Sequence, residues 1–244
     1  MLSVLPWRRV LRRELLLLSL VIFLADTVVG FIMPLFPLLA RDLGASLMLI
    51  GSLVAFKGIT QVAVAVPIGL LSDRFGRQRL IAAGALCFAA AAASLALVSA
   101  PMLLVVAQIL LGIGIVAVFG MGAAMVGDYS APSERGLVMG CLTTAMGLGF
   151  ATGPLLGGAL AELTGVRSSL LAFTFLSVAT FALAWLGLTD VGTGYRVRAA
   201  NPLHHLRLLA ANRALMLAAV ANLLLSPVFN GVIVNFMPLK AQEL

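Results

Sequence analysis

Seven long apolar runs dictate how this chain can fold. They cover residues 15–39, 48–71, 80–98, 102–126, 137–160, 169–188 and 215–238. Each is close to the roughly 20 residues that carry a helix across a bilayer. A helix pairs its backbone polar groups within the segment, as the hydrocarbon interior demands. Composition agrees: 62% of the 244 residues are hydrophobic, 10% are charged, and the mean hydropathy is +1.14. The prediction is an all-α, multi-pass membrane protein. The N-terminal Arg8, Arg9, Arg12 and Arg13 followed by an apolar run resemble the start of a signal peptide, but the run is too long. It reads as an uncleaved first span.

Arginine placement predicts the orientation. With the N-terminus inside, the inner segments hold Arg8, Arg9, Arg12, Arg13, Arg74, Arg77, Arg79, Arg135, Arg196, Arg198, Arg207 and Arg213. The outer loops hold only Arg41 and Arg167. Cationic residues concentrate on the cytoplasmic side, so the asymmetry predicts a cytoplasmic N-terminus and an outside C-terminus in a cell membrane. The net charge of +7 is therefore a topology signal, not a nucleic-acid signal.

A short, densely charged connection between runs is Gly69-Leu70-Leu71-Ser72-Asp73-Arg74-Phe75-Gly76-Arg77-Gln78-Arg79. Gly69 and Gly76 permit a tight turn or a close approach. Asp73 is expected to cap a helix N-terminus or to pair with an arginine. Two charges lie inside the runs themselves, Asp26 in the first and Lys57 in the second. Each costs about 2.5–3.5 kcal/mol at the bilayer centre, so each is a candidate functional residue. Asp26, Gly30, Met33 and Pro37 share one helical face. Lys57, Thr60 and Gln61 form a polar patch on the second run. A buried carboxylate can hold a cation or take a proton; a bland alternative is that Asp26 and Lys57 simply pair or reach outward.

The fifth run carries glycines in two stripes. Gly149, Gly153 and Gly157 form one; Gly140, Gly147 and Gly158 form another. Neighbouring helices can approach closely on both. Pro154 withholds a hydrogen bond from the Phe150 carbonyl and can bend the helix there. Residues 189–214 form the longest connection, with Asn201-Pro202 opening a short amphipathic helix on the inner leaflet. Gly30 aligns with Gly231 and Pro37 with Pro238, so the seventh run restarts the pattern of the first.

These motifs carry a resemblance. Gly69, Leu71, Asp73, Arg74, Gly76 and Arg77 fit G-x-L-x-D-R-x-G-R, which resembles the loop between helices 2 and 3 of the major facilitator superfamily. There it acts as a cytoplasmic gating latch. Gly140, Gly149, Gly153, Pro154, Gly157 and Gly158 fit G-x8-G-x3-G-P-x2-G-G, similar to the antiporter motif of that family. Gly30, Pro34 and Pro37 resemble a motif of its twelve-span drug:proton antiporters. Asp26 with Phe56, Lys57, Gly58 and Gln61 resembles the vesicular amine transporter branch. The resemblance implies that Asp26 engages an amine substrate and that Lys57 pairs with an acid in span 11. Gln108 stands where the family carries an arginine tied to proton coupling, and an amide cannot carry that charge.

The resemblance implies a six-helix N-terminal bundle over residues 1–188, a central cytoplasmic loop over 189–214, and the first helix of a second bundle over 215–244. A matching second half would give about 400 residues, so the sequence reads as a fragment or a truncated product whose partner is the missing half. The function expected is proton-coupled efflux of lipophilic, cationic small molecules. Alternatives are a truncated, non-transporting membrane protein or assembly subunit, and a proton-coupled metabolite or sugar importer. The only histidines, His204 and His205, are adjacent with no cysteine near, so no metal site is expected. No nucleophile constellation or phosphate-cradling loop occurs, so neither an enzyme nor a cofactor is expected. Cys87 and Cys141 lie in apolar runs and read as packing residues.

Overall fold

In the computed structural model of the chain, the described residues are 13–190 together with Arg213, Met216, Leu217, Val220 and Ala221. Those last five are helical. The amphipathic helix expected within 189–214 and the seventh span expected over 215–238 lie, apart from these residues, outside the described ones. The chain divides into two compact units, Met1–Val191 and Gly192–Leu244.

The first unit is built from six membrane-length helices, and no strand occurs among the described residues. They are α1 (Arg13–Asp42), α2 (Leu47–Phe75), α3 (Arg77–Leu97), α4 (Pro101–Tyr129), α5 (Arg135–Thr164) and α6 (Val166–Gly187). Four contain one of the first six apolar runs whole, and α3 and α6 stop one residue short of theirs. Most extend past their run, because a helix continues into the interface once its backbone is paired: α1 gains Glu14 and Asp42, and α2 gains Ser72 to Phe75. At 30 residues, α1 is about 45 Å long.

Connections are short, so successive helices alternate in direction. Ser46 caps α2 by accepting from the Leu49 N–H at 3.2 Å. Gly76 alone joins α2 to α3 and Gly165 alone joins α5 to α6, at φ of +90° and +86°. A side chain at either would strain the backbone, so glycine makes a one-residue reversal between helices feasible. α4 is not uniform: Val116–Gly120 forms a π turn between α-helical segments Leu104–Ile115 and Met121–Tyr129.

Burial ranks the helices. In its most apolar stretch α1 is 67% buried and α2 only 11%. α1 is therefore the centre of the unit, and it packs most extensively against α5 and then α6. α3 supplies an alanine face (Ala82, Ala85, Ala91, Ala92) that lets α4 and α6 approach it closely. α2 leans on α4 and leaves Phe56, Ile59, Val62 and Val66 exposed. Cys87 and Cys141 are free thiols.

Candidate functional site

The α1–α5 seam is where the sequence motifs converge. The glycine stripe of α5 lies directly on the α1 backbone. A methyl group built on Gly149 would meet the Phe23 carbonyl and come within 3.0 Å of Asp26 Cβ. One on Gly153 would lie 2.5 Å from the Thr27 carbonyl and 2.6 Å from the Phe31 nitrogen. One on Gly157 would strike the Phe31 ring, which stacks on Phe173 of α6 with centroids 3.8 Å apart. α1 answers with its own glycine: a methyl on Gly30 would lie 2.6 Å from the Phe150 carbonyl. That is the carbonyl to which Pro154 has no N–H to give. Three missing side chains, at Gly30, Gly149 and Gly153, thus bring two helix backbones together, with Asp26 beside Gly149.

Asp26 lies near the middle of α1 and is 8% exposed. Next to it, the Thr27 hydroxyl donates to the Phe23 carbonyl at 2.8 Å and lies 3.3 Å from the Thr152 hydroxyl of α5. This places a buried carboxyl group next to two hydroxyls, one buried on Thr27 and one half-buried on Thr152.

A second polar locus joins α2 and α4. Lys57 is buried, and a methyl on Gly112 would lie 2.9 Å from its carbonyl and from Thr60 Cβ. Gln61, one turn on, is half-buried. Gln108, one turn before Gly112, is 2% exposed, and its Oε1 accepts no hydrogen bond among the described residues. A buried acceptor without a donor costs about 1–3 kcal/mol, so it marks a place where a donor is wanted. No ion pair joins Asp26 to Lys57 among the described residues. The two charges belong to different helix seams.

At the end of the bundle where α2 meets α3, the arginine loop is built differently from the expectation. α2 runs through to Phe75, so Asp73 sits in its last turn, exposed and without a hydrogen bond or ion pair among the described residues. Among the described residues it neither caps a helix nor pairs with an arginine. The carboxylate at the start of α3 is Asp190, which accepts from the Gln78 N–H at 3.0 Å. The arginine that pairs is Arg77, 2.7 Å from Asp128 at the end of α4. Arg135 Nη2 donates to the Gly127 carbonyl at 3.1 Å, which ties the start of α5 to the same place. Arg74 lies 5.3 Å from the centre of the Phe75 ring, and Gly69 faces open space. At the opposite end, a hollow of about 420 Å³ is lined by Leu39, Asp42, Thr164 and Arg167; no candidate site residue reaches it.

The sequence pattern of the Major Facilitator Superfamily matches residues 18–244. The chain belongs to that superfamily. It is thus a multi-pass member of a membrane-transporter family. Among curated proteins it is similar to multidrug resistance protein 1 of Bacillus subtilis, at 31% identity over 66% of this chain and 40% of that one. It is also similar to the class B tetracycline resistance protein of Escherichia coli, at 32% identity over 67% and 41%. The chain spans less than half the length of these relatives. Among solved structures it resembles the human organic anion transporter MFSD10, with a TM-score of 0.64 at 20% identity, over 73% of this chain and 48% of that one. That likeness concerns the fold.

Within the superfamily fold, the structure gathers Asp26, Gly149, Gly153 and Gly157 into one seam, while Pro154 is exposed beside it. It puts Lys57, Gln61 and Gln108 at another. Gly140, Gly147 and Gly158, the second α5 stripe, meet nothing within 4 Å. The sequence reading missed Thr27, Thr152, Gln78 and Asp190 as partners of these sites. Only the polarity of the threonines inside apolar runs offered a signal.

Proposed function

We propose that this chain is the N-terminal bundle and central loop of a secondary transporter that exports lipophilic, cationic small molecules in exchange for protons. Residues 1–188 form the bundle, 189–214 the cytoplasmic connection, and 215–244 the first helix of a second bundle. The N-terminus and the Gly76 loop face the cytoplasm. The substrate cavity lies at the midplane between two such bundles.

One observation carries the reading: Asp26 is a buried acid without an ion pair among the described residues, held in the seam that the antiporter motif makes. A carboxylate there attracts either a cationic substrate or a proton, and the two compete for one site. That competition is the minimal requirement for exchange. Lys57 and Gln108 line a second locus on the α2–α4 side, where Gln108 supplies an amide in place of a fixed charge. The names of the relatives, multidrug and tetracycline resistance, fit export of such compounds.

The test is dye efflux from dye-loaded cells under an imposed pH gradient, with the chain co-expressed with a matching second half. Asp26→Asn is expected to abolish gradient-driven efflux at an equal amount of protein in the membrane. Full efflux by Asp26→Asn would overturn the role given to Asp26. Full efflux by the 244-residue chain alone would overturn the need for a second bundle, unless cross-linking finds a dimer.

A further inference from the structure

We infer that Asp190 is the positioning residue of the arginine loop, and that Gly76 is glycine because the Asp190 carboxylate occupies the space its side chain would fill. A methyl group built on Gly76 falls on Asp190 Oδ2, with Oδ1 3.3 Å away. Positive φ alone would already favour glycine there. The carboxylate seated against its Cα is a separate requirement. From that seat, Asp190 accepts the Gln78 N–H in the first turn of α3, where unpaired N–H groups and the positive end of the helix dipole meet an anion.

Gln78 completes the exchange. Its Nε2 donates to the Trp185 carbonyl at 2.6 Å and to the Ala184 carbonyl at 3.4 Å. Those carbonyls lie in the last turn of α6, where acceptors begin to lack helix partners; that of Ala184 also accepts from the Leu188 N–H at 3.3 Å. The start of α3 and the end of α6 therefore satisfy each other's orphan groups. Tyr129 at the end of α4 donates to the Thr189 carbonyl, one residue before Asp190. Arg77, the residue before Gln78, pairs with Asp128 on the same α4 end. α3, α4 and α6 are clasped into one block, and the arginine loop is rigidly mounted on it. The chain leaving α6 is thereby the element that holds the loop in place, across a separation of 112 residues.

The placement stands without the transport reading; its consequence for transport rests on that reading. The test of placement is a thermal-unfolding cycle on the 244-residue chain in detergent, with Gly76→Ala, Asp190→Ala and the double variant. Gly76→Ala in the presence of Asp190 carries both the φ strain and the collision; in the Asp190→Ala background it carries the strain alone. The melting-temperature drop caused by Gly76→Ala is expected to be roughly halved when residue 190 is alanine. Additive shifts would overturn the seat. If Gly76→Ala yields no folded protein, Asp190→Asn decides: it keeps the acceptor and is expected to melt close to the unsubstituted chain, with Asp190→Ala well below. Equal melting of the Asn and Ala variants would overturn the cap. In the co-expressed transporter, Asp190→Ala is expected to lower the maximal efflux rate several-fold at unchanged half-saturating substrate, and Asp190→Asn to restore it. Unaltered efflux by Asp190→Ala would overturn the positioning role. No efflux by the unsubstituted protein would instead sink the transport reading and leave the unfolding cycle to decide the placement.

Discussion

Gly153→Ala against Gly158→Ala is a direct test of which α5 stripe is structural. A methyl on Gly153 would lie 2.5 Å from the Thr27 oxygen, 2.6 Å from the Phe31 nitrogen and 2.8 Å from the Gly30 carbonyl carbon. Real Cβ contacts stay beyond 3.0 Å. All three atoms are α1 backbone, so no rotamer change makes room. α1 and α5 must separate by several tenths of an ångström along the seam. Overpacking of this kind costs about 1–3 kcal/mol, and rigid backbone on the far side puts Gly153 at the upper end. Alanine's better helix propensity returns at most about 1 kcal/mol. At Gly158 nothing lies within 4 Å, so only the propensity gain remains. The two variants should therefore differ by about 2–3 kcal/mol, with Gly153→Ala destabilised and Gly158→Ala unchanged or slightly stabilised. Thermal unfolding of the detergent-solubilised chain, with intrinsic fluorescence as the probe, reads the difference. Equal shifts for the two variants would refute the seam.

Three further outcomes are expected. Asp73→Asn should leave unfolding unchanged, because Asp73 has no partner among the described residues. Arg77→Ala and Asp128→Ala should each destabilise by about 0.5 kcal/mol and be non-additive, as for a half-exposed pair; a stability loss confined to Asp73→Asn would reverse the assignment. Reporter fusions after Arg79 and Arg135 should report cytoplasm and fusions near Arg41 and Arg167 the outside; a cytoplasmic Arg167 would break the topology.

The six helices were legible because run length and backbone pairing leave no alternative for about 20 apolar residues. Their ends were less so, since Ser72 to Phe75 stay helical while being polar enough to read as loop. Asp73 was misplaced for that reason: a loop residue can cap the next helix, but one in the last turn of α2 points back along its own. The glycine spacing in α5 predicted two close-packed faces, and one of them, that of Gly149, Gly153 and Gly157, is packed on α1. No local signal could say that its partner was α1, since the Thr27–Thr152 contact spans 125 residues. The Asp190 cap is invisible for the same reason. An aspartate after an apolar run looks like any interfacial acid until the fold brings α3 beside it.

The seam also determines how α1 can move. Gly149 and Gly153 fix it against α5 by backbone contact, which tolerates no sliding, whereas Phe31 touches its neighbours by a ring. That ring sits between Gly157 of α5 and Phe173 of α6. It is the softest of these contacts, because a side chain can turn where a backbone cannot. Gly157→Ala drives a methyl into the ring, with Cγ at 2.9 Å, and Phe173 blocks the retreat. In the parent chain the substitution should cost about 1–3 kcal/mol. Phe173→Ala alone should cost about 3–5 kcal/mol by emptying the space beside Phe31. Together they should cost less than the sum by about 1–2 kcal/mol, because the Phe31 ring can then swing toward α6 and accept the methyl. The same unfolding cycle measures it. Strict additivity would mean that Phe31 is held by α1 itself and not by the α6 ring.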